Sequence, residues 1–148
     1  MNSCQSVTIE PYNERSVQAV MNHSSLFNAM MHPFTRMVIY GAVWYQGEAN
    51  RDYNTDKYAC SLAKLIENWR QIWNERTNGS TNIQFPFGFV QVNISHRFSF
   101  NFRFLVINIF AKERIRWHQT FDVGHLPNDV VPNVFGVTTC DLRDDPNG

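Results

Sequence analysis

What most restricts the fold of this chain is a change of hydrophobic period along it, from an unbroken apolar run to a helical stripe and back. Val38, Ile39, Tyr40, Ala42 and Val43 crowd the stretch from Met37 to Tyr45, which predicts a strand buried on both faces and placed at the centre of a sheet. After a polar loop, Tyr58, Leu62, Leu65, Ile66, Trp69, Ile72 and Trp73 recur at steps of four, three, one, three, three and one. That spacing aligns them on one helical face. Asn54, Thr55 and Asp56 offer cap oxygens and a first-turn carboxylate, and Thr77-Asn78-Gly79 offers a stop. Phe87 to Val92 predicts a second buried strand, Glu113 to Phe121 a short helix, and Val134 to Cys140 a third strand ending at Asp141-Leu142-Arg143-Asp144-Asp145. Strand, helix, strand, helix, strand is the order of an α/β chain. It implies a mostly parallel sheet with right-handed crossovers in a three-layer α/β/α arrangement.

The remaining segments carry less. Residues 1–24 are polar and aperiodic and are expected to form an irregular lead-in. Leu26 to Met31 predicts a helical turn begun by Ser24 or Ser25 and stopped by Pro33. In 95–112, Phe98, Phe100, Phe102, Phe104 and Val106 alternate before Ile107, Ile109 and Phe110. This reads as an atypical aromatic insertion, either a strand or a misassembled stretch, and aggregation-prone where exposed.

With 148 residues, 43% of them hydrophobic, the chain can build one core and is expected to be a single domain, 1–148. Lys plus Arg and Asp plus Glu number 13 each, so no net charge attracts nucleic acid or an anionic membrane, and neither is expected as a partner. No run of 18 apolar residues exists, and Met1-Asn2-Ser3-Cys4-Gln5-Ser6 lacks the features of a secretory signal. Cys4, Cys60 and Cys140 are an odd number with no metal-ligand spacing, which leaves free thiols or a partner cysteine outside this chain, and no metal or cofactor is expected. Asn22-His23-Ser24, Asn78-Gly79-Ser80 and Asn93-Ile94-Ser95 fit the N-glycosylation pattern.

The Met37 to Tyr45 strand stops abruptly at Gln46, Gly47, Glu48 and Asn50, polar groups gathered around one glycine. Open α/β sheets bind ligands at the carboxyl ends of their strands, so this corner is the candidate site. Gln, Glu and Asn in a loop also serve as turn and cap residues, and that reading stays open on the residues alone.

The run Trp44-Tyr45-Gln46-Gly47-Glu48-Ala49-Asn50 resembles the Gln-Gly-Glu-(Ser/Ala)-Asn block of the sialate O-acetylesterase family, a branch of the SGNH hydrolases. Leu26-Phe27-Asn28-Ala29-Met30-Met31-His32-Pro33 is similar to that family's Leu-Trp-Asn-Ala-Met-Ile-His-Pro, and Tyr53-Asn54-Thr55-Asp56 to its Tyr-Asn-Thr-Asp. Phe85-Pro86-Phe87-Gly88 with Val90-Gln91, and Ile115-Arg116-Trp117-His118-Gln119-Thr120, continue the resemblance, which covers residues 26–94 and 115–142.

The resemblance implies a partial SGNH-hydrolase domain of flavodoxin-like architecture. Its activity would be serine-based removal of O-acetyl groups from sialic acids or other acetylated glycans, without cofactor or metal. Gln46 would donate its amide N–H to the oxyanion, Gly47 would let substrate approach the backbone, and Asn50 would be a further donor. Glu48 is expected as a buried orienting carboxylate. Asp141 and Asp144 are candidates to orient the histidine base, with solvated turn carboxylates as the alternative. Trp44, Arg116, His118 and Gln119 are expected to line the substrate pocket. The family's location implies a lysosomal or secreted parent, which favours Asn78 as a glycosylated position.

The family's nucleophile lies in a Gly-Gln-Ser-Asn-Met block upstream of these matches, and no Gly-x-Ser occurs here. Its histidine follows in an Ile-His-Pro block just beyond the last match. The chain is therefore expected to be a middle fragment and inactive alone, or alternatively a non-catalytic acetyl-glycan-binding pseudoenzyme or partial gene product.

Overall fold

The computed structural model describes residues 24–48, 50, 54–91 and 114–138. Its sheet has three strands in the order β1 (Ala42–Trp44), β2 (Phe87–Gln91), β3 (Val134–Thr138). Both pairings are parallel, with Ala42 opposite Phe87 and Phe87 opposite Val134. A helix, α1 (Tyr58–Arg76), lies between β1 and β2 in sequence, and residues 114–119 are helical before β3. The expected α/β alternation and parallel sheet are present.

The apolar stripe of α1 is the main wall of the core. Tyr58, Leu62, Ile66 and Trp73 are buried, and Leu65, Trp69 and Ile72 pack partly buried against the same cluster. Trp69 carries the helix onto the sheet, with Trp44 edge-on at 5.5 Å and Phe87 at 6.1 Å. Phe85, Phe87, Ile115 and Val134 complete the interior. Each large side chain removed from water in this way stabilises the fold by about 1.5–3 kcal/mol.

Arg70, also on the inner side of α1, is only 5% exposed. Its Nε and Nη2 donate to the Phe85 carbonyl at 3.1 and 2.8 Å, Nη1 to Pro132 at 2.8 Å, and Nη2 to Asn133 at 3.0 Å. Burial lowers its pKa, while these carbonyls replace the water the cation has lost. One side chain thus ties α1 to the entries of β2 and β3.

The helix ends where the sequence indicates. Asn78 and Gly79 adopt φ of 51° and 81°, and the Gly79 N–H closes on the Asn74 carbonyl at 2.8 Å. Its start differs: a 3₁₀ turn, Thr55–Lys57, leads in, and neither Asn54 nor Lys57 makes a side-chain cap bond. Pro33 also departs from expectation. The wide helical turn Phe27–Met31 does end ahead of it, but Pro33 then sits in the first positions of a 3₁₀ turn, His32–Arg36, where its missing N–H is not needed.

The expected strand over Met37 to Tyr45 is corrected most. Only Ala42–Trp44 pairs, and among the described strands it is an outer one, with β2 between it and β3. Val38, Tyr40 and Val43 are 63%, 94% and 77% exposed. Strand alternation explains Val43: Trp44 points to the α1 side, so Val43 points to the opposite face, as do the exposed Phe135 and Val137 of β3. The 1–24 lead-in up to residue 23 and the 95–112 aromatic segment lie outside the described residues. Among the described residues no helix is long and apolar enough to cross a membrane.

Candidate functional site

Because β1, β2 and β3 are parallel, their carboxyl ends share one edge of the sheet. At that edge the chain leaving β1 turns through Gln46 and Gly47, and the Asn50 N–H closes on the Gly47 carbonyl at 3.1 Å. Gly47 is buried at φ 138°, a conformation that strains any residue with a side chain.

The Gln46 side chain is held at both ends. Its Nε2 donates to Asn50 Oδ1 at 2.6 Å. The Tyr58 hydroxyl lies 3.0 Å from Gln46 Oε1 and 3.1 Å from the Gln46 carbonyl, sharing its hydrogen between the two acceptors. That carbonyl also accepts from Gln119 Nε2 at 3.4 Å, and Gln119 reaches the Val90 carbonyl of β2 at 3.3 Å. Thr55 Oγ1 anchors the far side by donating to the Asn50 carbonyl at 2.6 Å. The corner is therefore bound to the start of α1, the end of β2 and the 114–119 helix at once.

Burial pushes the Tyr58 phenol up to about 12, against the nearby Gln119 and Trp44 N–H groups, which favour the phenolate, and with a small addition from the Glu48 carboxylate. It stays a neutral donor at any physiological pH. Trp44, Gln46, Asn50, Asn54, Tyr58 and Leu62 border a recess of about 110 Å³. The buried Trp44 indole N–H makes no hydrogen bond of ordinary geometry there, although it lies near enough to the Tyr58 oxygen to favour the phenolate.

Among the described residues the recess offers donors and no activated nucleophile. One Gln46 Nε2 hydrogen goes to Asn50, and the amide carries a second. Ser61 also borders the recess, but its hydroxyl donates to the Lys57 carbonyl at 2.9 Å. Among the described residues no serine is hydrogen-bonded to a histidine. A larger groove of about 490 Å³ lies elsewhere on α1, beside Lys64, Glu67 and Arg70. Its charges are already paired, Lys64 with Glu67 at 2.6 Å and Arg70 with backbone carbonyls, so it presents little free chemistry. Cys60, on the same groove, is disulfide-bonded, so that thiol is not free.

The structure brings Trp44, Gln46, Gly47 and Asn50 together and separates the others. Glu48 is exposed, correcting the expectation of a buried carboxylate: it sits on the outer side of the turn, where water solvates it. Gln119 is fully buried and braces the corner from behind, so it does not line a pocket. Arg116 and His118 do not border the recess; the Arg116 carbonyl accepts from Gln91 Nε2 at 3.5 Å, and His118 Nδ1 pairs with Asp122 at 2.5 Å. Asn78 is exposed at the end of α1. Asp141 and Asp144 lie outside the described residues.

Sequence reasoning placed Tyr58 in the core stripe and missed its second role. The available signal was its identity: a tyrosine where the stripe needs only an apolar ring predicts a hydroxyl with a buried partner.

No protein-family model matches the chain. It is 45% identical over 128 residues to a mouse (Mus musculus) protein named sialate O-acetylesterase, a match covering 85% of this chain and 22% of that protein. The human (Homo sapiens) sialate O-acetylesterase is 43% identical over 142 residues, 93% of this chain and 25% of its own length, and the rat (Rattus norvegicus) one 45% identical over 130 residues. The chain thus spans about a quarter of the length of the curated relatives it matches. Through these matches the chain belongs to the sialate O-acetylesterase family.

Proposed function

We propose that the corner at Gln46, Gly47 and Asn50 is the oxyanion side of an ester-hydrolysing site, acting on O-acetyl groups of sialic acid or a related acetylated glycan by serine-based acyl transfer within an SGNH-type domain. The observation that carries this reading is the Gln46 amide, tethered through Oε1 to Tyr58 and through Nε2 to Asn50, on a side chain that borders the recess and has a second Nε2 hydrogen beyond the one Asn50 accepts. An oxyanion donor must be aligned before charge develops on the substrate, and a side chain held at both ends meets that condition. Gly47 at φ 138° permits the tight turn that carries Gln46 and Asn50 to the recess together. The relatives named sialate O-acetylesterase supply the substrate class.

In this reading the serine nucleophile comes from sequence other than these 148 residues, since no Gly-x-Ser element occurs among them, and the histidine base comes with the family's Ile-His-Pro block. Asp141 or Asp144 orients the base. The disulfide at Cys60 and the exposed Asn78 acceptor agree with an oxidising, secretory or lysosomal setting, in which Asn78 is glycosylated.

Hydrolysis of p-nitrophenyl acetate tests the assignment. The 148-residue polypeptide should give no turnover, and a longer natural polypeptide carrying this sequence should be active. In that longer protein Gln46→Ala should lower kcat by about a hundredfold to a thousandfold. An unchanged kcat would refute the role given to Gln46, and turnover by the short chain would refute the division of the machinery.

A further inference from the structure

We infer that Tyr58 is a positioning residue that selects which end of the Gln46 side-chain amide faces the recess; this rests on the oxyanion reading of Gln46. A glutamine amide can sit in two orientations related by a half-turn, of similar shape and opposite hydrogen-bonding sense. Only one directs N–H groups toward a substrate oxygen.

Two neighbours decide the orientation. Asn50 presents Oδ1, an acceptor, 2.6 Å from Nε2. The Tyr58 hydroxyl, shared between Oε1 at 3.0 Å and the Gln46 carbonyl at 3.1 Å, favours an acceptor at the Oε1 end of the amide. A half-turn of the amide would set an oxygen against Asn50 Oδ1. Tyr58 is 5% exposed and sits at the first residue of α1, so its oxygen is held by the packing of the whole helix face against the sheet. The rigidity of the core is thereby transmitted to the donor through one hydrogen bond.

Tyr58→Phe keeps the ring and removes that bond. A neutral hydrogen bond biases an equilibrium by about two- to tenfold, so the variant should populate the inverted amide several-fold more. In the ¹⁵N-labelled chain, the two Gln46 Nε2 protons should be well separated in shift and slow to exchange. Tyr58→Phe should draw them together and speed exchange by about fivefold, while the backbone amides of α1 keep their shifts. Unchanged Gln46 side-chain signals would overturn the inference. Should Tyr58→Phe not fold, Gln46→Ala reads the same contact from the other end. The Tyr58 ring ¹³Cζ shift should then move, and an unmoved shift would overturn the inference equally.

In the longer, active protein the prediction becomes kinetic. Tyr58→Phe should lower kcat by about fivefold with KM unchanged, and should cost nothing further on a Gln46→Ala background. Additive losses would show that Tyr58 acts elsewhere and overturn the inference. If Gln46→Ala leaves kcat intact while the amide signals respond to Tyr58→Phe, the positioning contact stands and the esterase reading falls.

Discussion

Replacing Arg70 tests how the helix is fastened to the sheet. In Arg70→Met the unbranched stem remains, and the bonds to Phe85, Pro132 and Asn133 are lost. Asn133 keeps the Phe87 N–H at 3.1 Å, so two carbonyls, those of Phe85 and Pro132, are left without these donors. Pro132 is exposed, so water can reach its carbonyl, whereas the orphaned Phe85 carbonyl is buried and costs about 1–3 kcal/mol; with the lost packing and the relief of the guanidinium, a net loss of about 2 kcal/mol is expected. For a chain of this length the midpoint of thermal unfolding should fall by about 4–8 °C. Arg70→Lys, which can reach one carbonyl, should lose about half as much. Urea unfolding followed by circular dichroism at 222 nm and by tryptophan fluorescence measures both variants, with a constant m-value as the control for two-state behaviour. If Arg70→Met matches the parent within about 0.5 kcal/mol while Arg70→Ala does not, the stem alone matters and the hydrogen-bond argument is wrong.

Alkaline titration provides a second check. With the folded pKa of Tyr58 raised to about 12 from its ordinary 10, the neutral phenol's contribution is complete below pH 10 and is lost as pH climbs through 12. The full loss is on the order of 2–3 kcal/mol; absorbance at 295 nm should show one late tyrosine phase, absent in Tyr58→Phe, and a single ordinary phase in the parent would contradict the burial argument. Two glycines should respond differently to alanine. A Cβ at Gly41 would lie 2.8 Å from the Pro86 carbonyl, the backbone acceptor of the Ala42 N–H, and should cost about 1–3 kcal/mol by prying β1 from β2. A Cβ at Gly88 meets the Phe135 ring at 2.5 Å, but that ring is 48% exposed and can swing aside, so the cost should stay near or below about 1 kcal/mol. Equal destabilisation in urea melts would count against the distinction.

The elements that rest on local periodicity were legible in the sequence. The stripe from Tyr58 to Trp73 specified a helix and its buried face, because contacts three and four residues apart are decided within the helix itself. The Thr77-Asn78-Gly79 stop was equally readable, since a left-handed turn depends on backbone preferences of the residues that make it. The Gln46 corner could be located, because polar groups massed at the end of an apolar run mark a strand terminus whatever surrounds it.

Only the tertiary structure decided which strand is central, how much of Met37 to Tyr45 is paired, and what holds Gln46 still. An apolar run reports that a segment can be buried; whether it is buried depends on partners distant in sequence, and among the described residues β1 pairs on a single side. Tyr58 and Gln119 reach Gln46 across 12 and 73 residues, and Arg70 reaches Pro132 across 62. Hydrogen bonds at such separations leave no period in the sequence, because they come into being only when the packed core sets donor and acceptor three ångströms apart.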